Sequence, residues 1–224
     1  MIRTVTLCGV LLFGAALFAK GPSAAYDIFT PSNLRLINAE AKPVNYHGRR
    51  ALELTPPAGK EKSDEDMLAV LAGPDFKDGT IEVEVAGAPR KDAREDMRGF
   101  IGIAFRVQGE GDKFECFYLR PSNGRADDQL RRNHALQYIS SPDWGWKRLR
   151  TENPGQYESY ADMVAGEWTK IKIVVSGAKA QLYVNGAAQP ALIVNDLKLG
   201  DAAGKIALWS HTSTEGYFSR LVVH

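Results

Sequence analysis

Between Arg120 and Tyr138 the chain reads RPSNGRADDQLRRNHALQY, which concentrates Arg120, Asn123, Arg125, Asp127, Asp128, Gln129, Arg131, Arg132, Asn133, His134, Gln137 and Tyr138. Planar polar groups at this density suit multidentate hydrogen bonding to sugar hydroxyls, which both donate and accept, and a nearby ring can stack on the apolar face of a pyranose. Trp144 and Trp146 follow within a few residues and supply candidate rings. The same residues admit a second reading, in which Arg125, Arg131 and Arg132 pair with Asp127 and Asp128 to order a long connection. The two readings are compatible, because a binding loop must itself be rigid.

Other chemistries leave fewer traces. No Gly-x-Ser-x-Gly elbow and no phosphate-cradling glycine loop occurs. His134 is the only histidine beside candidate polar residues, while His47, His211 and His224 are scattered, and no metal-ligand spacing appears. Asp127 and Asp128 could offer oxygens to Ca²⁺, but two adjacent aspartates are a weak cation signature, so no cofactor is expected. Cys116 lies mid-strand between Glu115 and Phe117 and reads as a small buried apolar residue. From Arg120 to Glu152, seven bases oppose Asp127, Asp128, Asp143 and Glu152, a surplus that either attracts an anionic glycan or forms a solvated rim.

These residues need a scaffold. The chain has 224 residues, 44% apolar, 9% aromatic and 25% charged, as in ordinary globular domains. Residues 1–25 read as a secretory signal: Met-Ile-Arg, an apolar run from Val5 to Ala19, then Ser23-Ala24-Ala25. Val5-Thr6-Leu7 before Cys8 is not a lipoprotein signature, and Cys116 remains the sole thiol of residues 26–224. Losing Arg3 and Lys20 from 28 basic residues leaves 26 against 27 acidic ones, a balance that argues against nucleic acid as partner. No second apolar run approaches the ~20 residues of a membrane helix. A periplasmic or secreted single domain, 26–224, is expected, with its number of copies left open.

After the signal, short apolar runs of period two alternate with Gly, Pro, Asn and Asp. Strands are predicted at 26–29, 34–37, 43–46, 51–54, 67–71, 80–85, 100–107, 113–119, 135–139, 169–175, 180–184, 206–210 and 217–223. So many in one domain imply an all-β fold of two packed sheets. Asn185-Gly186 should close a tight hairpin, since both residues tolerate positive φ. Residues 56–65 and 88–96 read as loops, and 121–166 as a long irregular segment around one strand.

The C-terminal stretches GEWTKIKIVVSGAKAQLYVNG, GKIALWS and GYFSRLVV resemble the closing strands of the concanavalin A-like lectin/glucanase jelly rolls, the laminin-G-like ones among them. Among exported bacterial proteins the resemblance is to the 3-keto-disaccharide hydrolase family, whose Gly-Ile-x-Phe-Arg strand and following aromatic-Glu strand are matched by Gly102-Ile103-Ala104-Phe105-Arg106 and Phe114-Glu115. It spans 79–223 with the 121–166 segment as a gap, and that family's segments after the Glu are absent. The resemblance implies a jelly-roll β-sandwich, with Arg106 and Glu115 as catalytic candidates on neighbouring strands, Glu115 as acid/base and Arg106 fixing its ionised state. A structural ion pair is the simpler alternative. Laminarinase-type relatives of this fold carry three alternating carboxylates; Glu82 and Glu84 offer two, and the reading favoured for them is an ordinary solvent face. The function expected is saccharide recognition by one sheet face and the 121–166 segment, the alternatives being a glycoside-processing hydrolase or lyase and a protein-interaction module.

Overall fold

The computed structural model describes residues 24–224; residues 1–23, most of the signal-like segment, lie outside it. The described residues form fifteen strands: β1 (Ala24–Ala25), β2 (Leu34–Ile37), β3 (Glu40–Tyr46), β4 (Arg49–Thr55), β5 (Asp66–Leu71), β6 (Gly79–Pro89), β7 (Ile101–Gln108), β8 (Lys113–Leu119), β9 (Leu136–Ser141), β10 (Glu158–Ser159), β11 (Thr169–Ser176), β12 (Lys179–Val184), β13 (Leu192–Val194), β14 (Lys205–His211) and β15 (Thr214–Val223). One antiparallel sheet runs β13-β12-β11-β6-β15-β4-β3, with β1 on β15, and the other runs β10-β9-β8-β7-β14-β5-β2.

The period-two pattern sets which face goes inward, since successive side chains leave a strand on opposite sides. Ile81, Val83 and Val85 of β6 and Ile171, Ile173 and Val175 of β11 turn to the core and meet Ile103, Phe105, Phe117 and Leu208 of the second sheet in one apolar cluster. Asn185 and Gly186 make a turn with φ of 51° and 75°, but it opens a longer connection to β13 at Leu192 rather than closing a tight hairpin; β11 and β12 are joined at Gly177-Ala178.

Three further expectations are corrected. Residues 26–29 are not a strand, because the Asp27 carboxylate accepts from the Phe29 amide (2.9 Å) and the Thr30 hydroxyl (2.5 Å) and bends the chain. Ala24–Ala25 pairs with Val223 and Val222 instead, upstream of the boundary placed at Ala25. The 121–166 segment is built rather than irregular, holding β9, β10, helix α1 (Gln129–Asn133) and helix α2 (Trp146–Glu152).

Candidate functional site

A row of register partners crosses the outer face of the seven-stranded sheet: Leu68 on β5, Trp209 on β14, Gly102 on β7, Tyr118 on β8 and Gln137 on β9. Gly102 makes the row's centre. A Cβ there would stand 2.1 Å from the Phe117 carbonyl oxygen and 2.6 Å from Tyr118 Cα, so only hydrogen fits. With no side chain between them, the Tyr118 and Trp209 rings meet at 4.7 Å, 27° from coplanar. They floor a cleft of about 490 Å³, within the usual range for small-ligand sites.

Two connections wall it. The 90–100 loop brings Arg94, Asp96, Met97, Arg98 and Phe100, and the 120–150 segment brings Arg120, Asn123, Arg131, His134, Trp146 and Arg150. They are joined where the Ser122 amide donates to the Arg98 carbonyl oxygen, 3.3 Å away. Arg120, buried, is the strut beneath the second wall: Nη2 donates to Tyr118 Oη (2.8 Å) and Gln137 Oε1 (3.1 Å), and Nη1 to the His134 carbonyl oxygen (3.1 Å) and Glu158 Oε1 (3.2 Å). Glu158, also buried, receives Arg150 as well. A carboxylate shared by two guanidiniums offsets the cost of burying either.

The β5–β14 side is acidic. Asp66 pairs across to His211, and His211 Nε2 lies 3.1 Å from Asp64. Burial pushes the Asp66 carboxyl up to about 6, against a weaker opposing pull from the indole of Trp209. Burial also holds the imidazoles of His211 and His134 below the usual histidine range, His211 against the pull of Asp64 and His134 against that of Glu158, with Arg150 and Arg120 adding to the lowering at His134. Two buried polar atoms of the lining lack a well-formed hydrogen bond, Asn123 Oδ1 and Trp209 Nε1, the latter turned toward the Asp66 carboxyl. Such orphans are rare in folded proteins, and a ligand's hydroxyls or a solvent molecule would satisfy them.

Of the residues singled out in the sequence, Arg120, Asn123, His134 and Trp146 come together in this cleft. Trp146 opens α2 and remains 46% exposed, with the Arg150 guanidinium 4.8 Å from its ring centre. The others lie elsewhere. Trp144 is covered by Arg148 at 3.7 Å and Lys198 at 4.7 Å. Arg125 pairs with Asp162 on the surface at 2.8 Å. Asp128 caps α1 by accepting from the Arg131 amide at 2.6 Å, and Asp127 is exposed beside it. No cluster of three or more His, Cys, Asp or Glu spaced for a metal occurs among the described residues.

Arg106 and Glu115 do not face each other. Arg106 sits at a bulge with φ of 54°, its guanidinium wholly buried and donating to the carbonyl oxygens of Lys77 (2.9 Å), Gly177 (2.7 Å) and Gly200 (2.5 Å). It ties three turns together at one end of the sandwich. Glu115 partners Phe105 and so points inward, away from the cleft, where it accepts from Tyr138 Oη (2.5 Å) and the Leu199 amide (2.7 Å). Burial raises its carboxyl, with those hydrogen bonds opposing. Tyr138 is likewise internal. Glu82 and Glu84 lie on the other sheet, paired with Lys170 and with Arg49 and Arg220.

The sequence reading passed over Asp66, Arg98, Tyr118 and Trp209, counted Arg131 and Arg150 within the basic surplus, and set His211 aside as scattered. One signal was available: KFECFYL and IALWS are apolar on both faces, unlike TKIKIVVS, and a strand buried on both faces needs cover on its outer side.

The described residues have a concanavalin A-like jelly-roll fold. A carbohydrate-binding module, CBM66 of Bacillus subtilis, superposes with a TM-score of 0.57 at 11% identity, covering 86% of this chain and 96% of that one. A galectin-like protein of unknown function from Bacillus subtilis matches at 0.55 and 11%, over 87% and 90%. The exoplasmic/lumenal domain of VIP36, in a Ca²⁺- and mannose-bound form, matches at 0.57 and 10%, over 86% and 82%. No family model and no curated relative matches the sequence. No helix among the described residues is long and apolar enough to cross a membrane.

Proposed function

We propose that this protein is an exported saccharide-binding domain whose ligand lies in the cleft between the 90–100 loop and α1–α2, on the Tyr118–Trp209 floor. The carrying observation is that cleft: the half-exposed Trp146 ring at its rim above a floor of two stacked, buried rings, with the unpartnered Asn123 Oδ1 in its lining. Rings supply the apolar face a pyranose stacks on, and fixed polar groups around them supply orientation. Trp146 is the exposed ring at the rim. Carbohydrate-binding neighbours of the same fold support the reading, as does the signal-like Val5–Ala19 run for export. Titration calorimetry of the purified protein against a panel of neutral and acidic glycans tests it, with binding weakened about 10-fold in Trp146→Ala as the expected result; no heat with any glycan would overturn it.

One observation favours a second reading, a glycoside-processing hydrolase. Asp66, with its carboxyl near 6, holds its proton closer to neutrality than an ordinary aspartate and so suits a general acid. Product analysis on the calorimetry samples decides: turnover abolished in Asp66→Asn with binding retained would make this an enzyme.

A further inference from the structure

The cleft's charges are sorted by side. On the β5–β14 side the basic groups have carboxylates of their own: the His211 imidazole lies against Asp64, and Arg94 Nε donates to Asp96 at 3.1 Å. The β8–β9 side, three strand spacings or ~14 Å away, is different. Arg120 and Arg150 share the single carboxylate of Glu158. Arg98 spends Nη1 on the carbonyl oxygens of Glu95 (2.6 Å) and Met97 (2.9 Å), which leaves its Nε and Nη2 donors free, and it has no carboxylate within ion-pair distance. Arg131 has no hydrogen bond or ion pair from its guanidinium at all among the described residues. The nearest acids are engaged elsewhere, Asp128 by the Arg131 amide and Asp96 by Arg94.

Arg98, half-buried, and Arg131, exposed, therefore stand as two guanidiniums with donor edges unused by the protein at one end of the open cleft. Their mutual effect is visible: burial, then the charge of Arg131 and that of Arg120, pull the Arg98 guanidinium below its usual range. Like charges held together in a site are costly until an anion arrives, and a guanidinium edge matches a planar or tetrahedral oxyanion bidentately.

We propose that the saccharide is acidic, carrying a carboxylate or a sulfate ester that Arg98 and Arg131 grip, while its ring stacks against Trp146 at the rim and its hydroxyls face Asp66. This rests on the saccharide-binding reading and sharpens it to a ligand class.

The test uses the intact protein and matched pairs: a galacturonan tetrasaccharide against its methyl ester, and a carrageenan tetrasaccharide against its desulfated form, within a wider panel of acidic (alginate, chondroitin sulfate) and neutral (dextran, xylan, mannan, levan) glycans. The expected result is at least ~10-fold tighter binding of the acidic member in one pair, which identifies the group, weakening as salt rises. Arg98→Gln/Arg131→Gln should erase that preference while leaving the circular dichroism spectrum unchanged, and Glu84→Gln on the other sheet should leave both the preference and the neutral affinity unchanged. Equal or tighter binding of neutral members overturns the acidic assignment and leaves saccharide binding standing. Binding of inorganic sulfate alone, or of no glycan at all, overturns both.

Discussion

The two outer faces of this sandwich are built on opposite principles. On the eight-stranded sheet the outer positions carry Lys42 against Glu53, Lys170 against Glu82, and Arg49 and Arg220 against Glu84, a lattice of half-exposed ion pairs whose demand is met within the sheet. On the seven-stranded sheet the outer row is Leu68, Trp209, Gly102, Tyr118 and Gln137, almost wholly buried, with ion pairs lifted into the covering loops. A face that satisfies itself has nothing left to offer a ligand; a face covered by loops leaves rings, an orphaned acceptor and unpaired guanidiniums around the space between.

The sharpest break of this contrast is removal of the same group from each face. Glu158→Ala leaves Arg120 buried without its carboxylate and should cost about 3–5 kcal/mol in denaturant unfolding. A loss under about 1 kcal/mol would mean that the wall does not depend on its buried ion pairs. Gly102→Ala comes next: the added methyl must push β7 and β8 apart, so about 1–3 kcal/mol of destabilisation is expected, together with loss of glycan binding.

Asp66→Asn probes the floor by pH. In the folded protein the carboxyl titrates near 6 rather than near 3.8, so between those values the folded state holds a proton that the unfolded chain releases. Stability contributed by that retained proton is present below about pH 4 and is lost as pH rises through 6, a decline of about 3 kcal/mol at most. The asparagine variant should lack that decline, and an unchanged pH profile would place Asp66 in ordinary solvent.

Trp146→Ala should weaken glycan binding by about 10-fold, with a stability change within about 0.5 kcal/mol, because the ring is half exposed at the rim. The smallest effect belongs to the other face. Glu84→Gln should cost under about 1 kcal/mol, since Arg49 and Arg220 keep their water, and should leave binding untouched.

Legibility in the sequence follows the same division. Strands such as Thr169–Ser176 and Lys179–Val184 were readable because one face is wet and alternation marks it, and Asn185-Gly186 announced its own turn. The two-residue β10 and three-residue β13 were not, being too short to show a period. Asp27 turned an expected strand into a bend through a side-chain bond that any polar reading permits but none requires. Within the site, Arg120, Asn123, His134 and Trp146 were singled out because polar density and rings flagged their segment. The same flag drew in Arg125, Asp127 and Asp128, whose partners and cap lie outside the cleft.

By itself, the sequence determined the local terms: which stretches pleat, which residues can take positive φ, which segment is rich in forks and rings. Those depend on neighbours along the chain. Only the tertiary structure decided that Glu115 turns inward to Tyr138 while Tyr118, three residues on, turns outward to Trp209. It also decided that Arg106 serves three backbone carbonyls, while Arg98, from a loop that read as mere exposure, meets Arg131. The period of two divides a strand's residues into two sets without saying which set faces the core. That choice is made by register with strands far away in sequence, where apolar area buried on each side is compared.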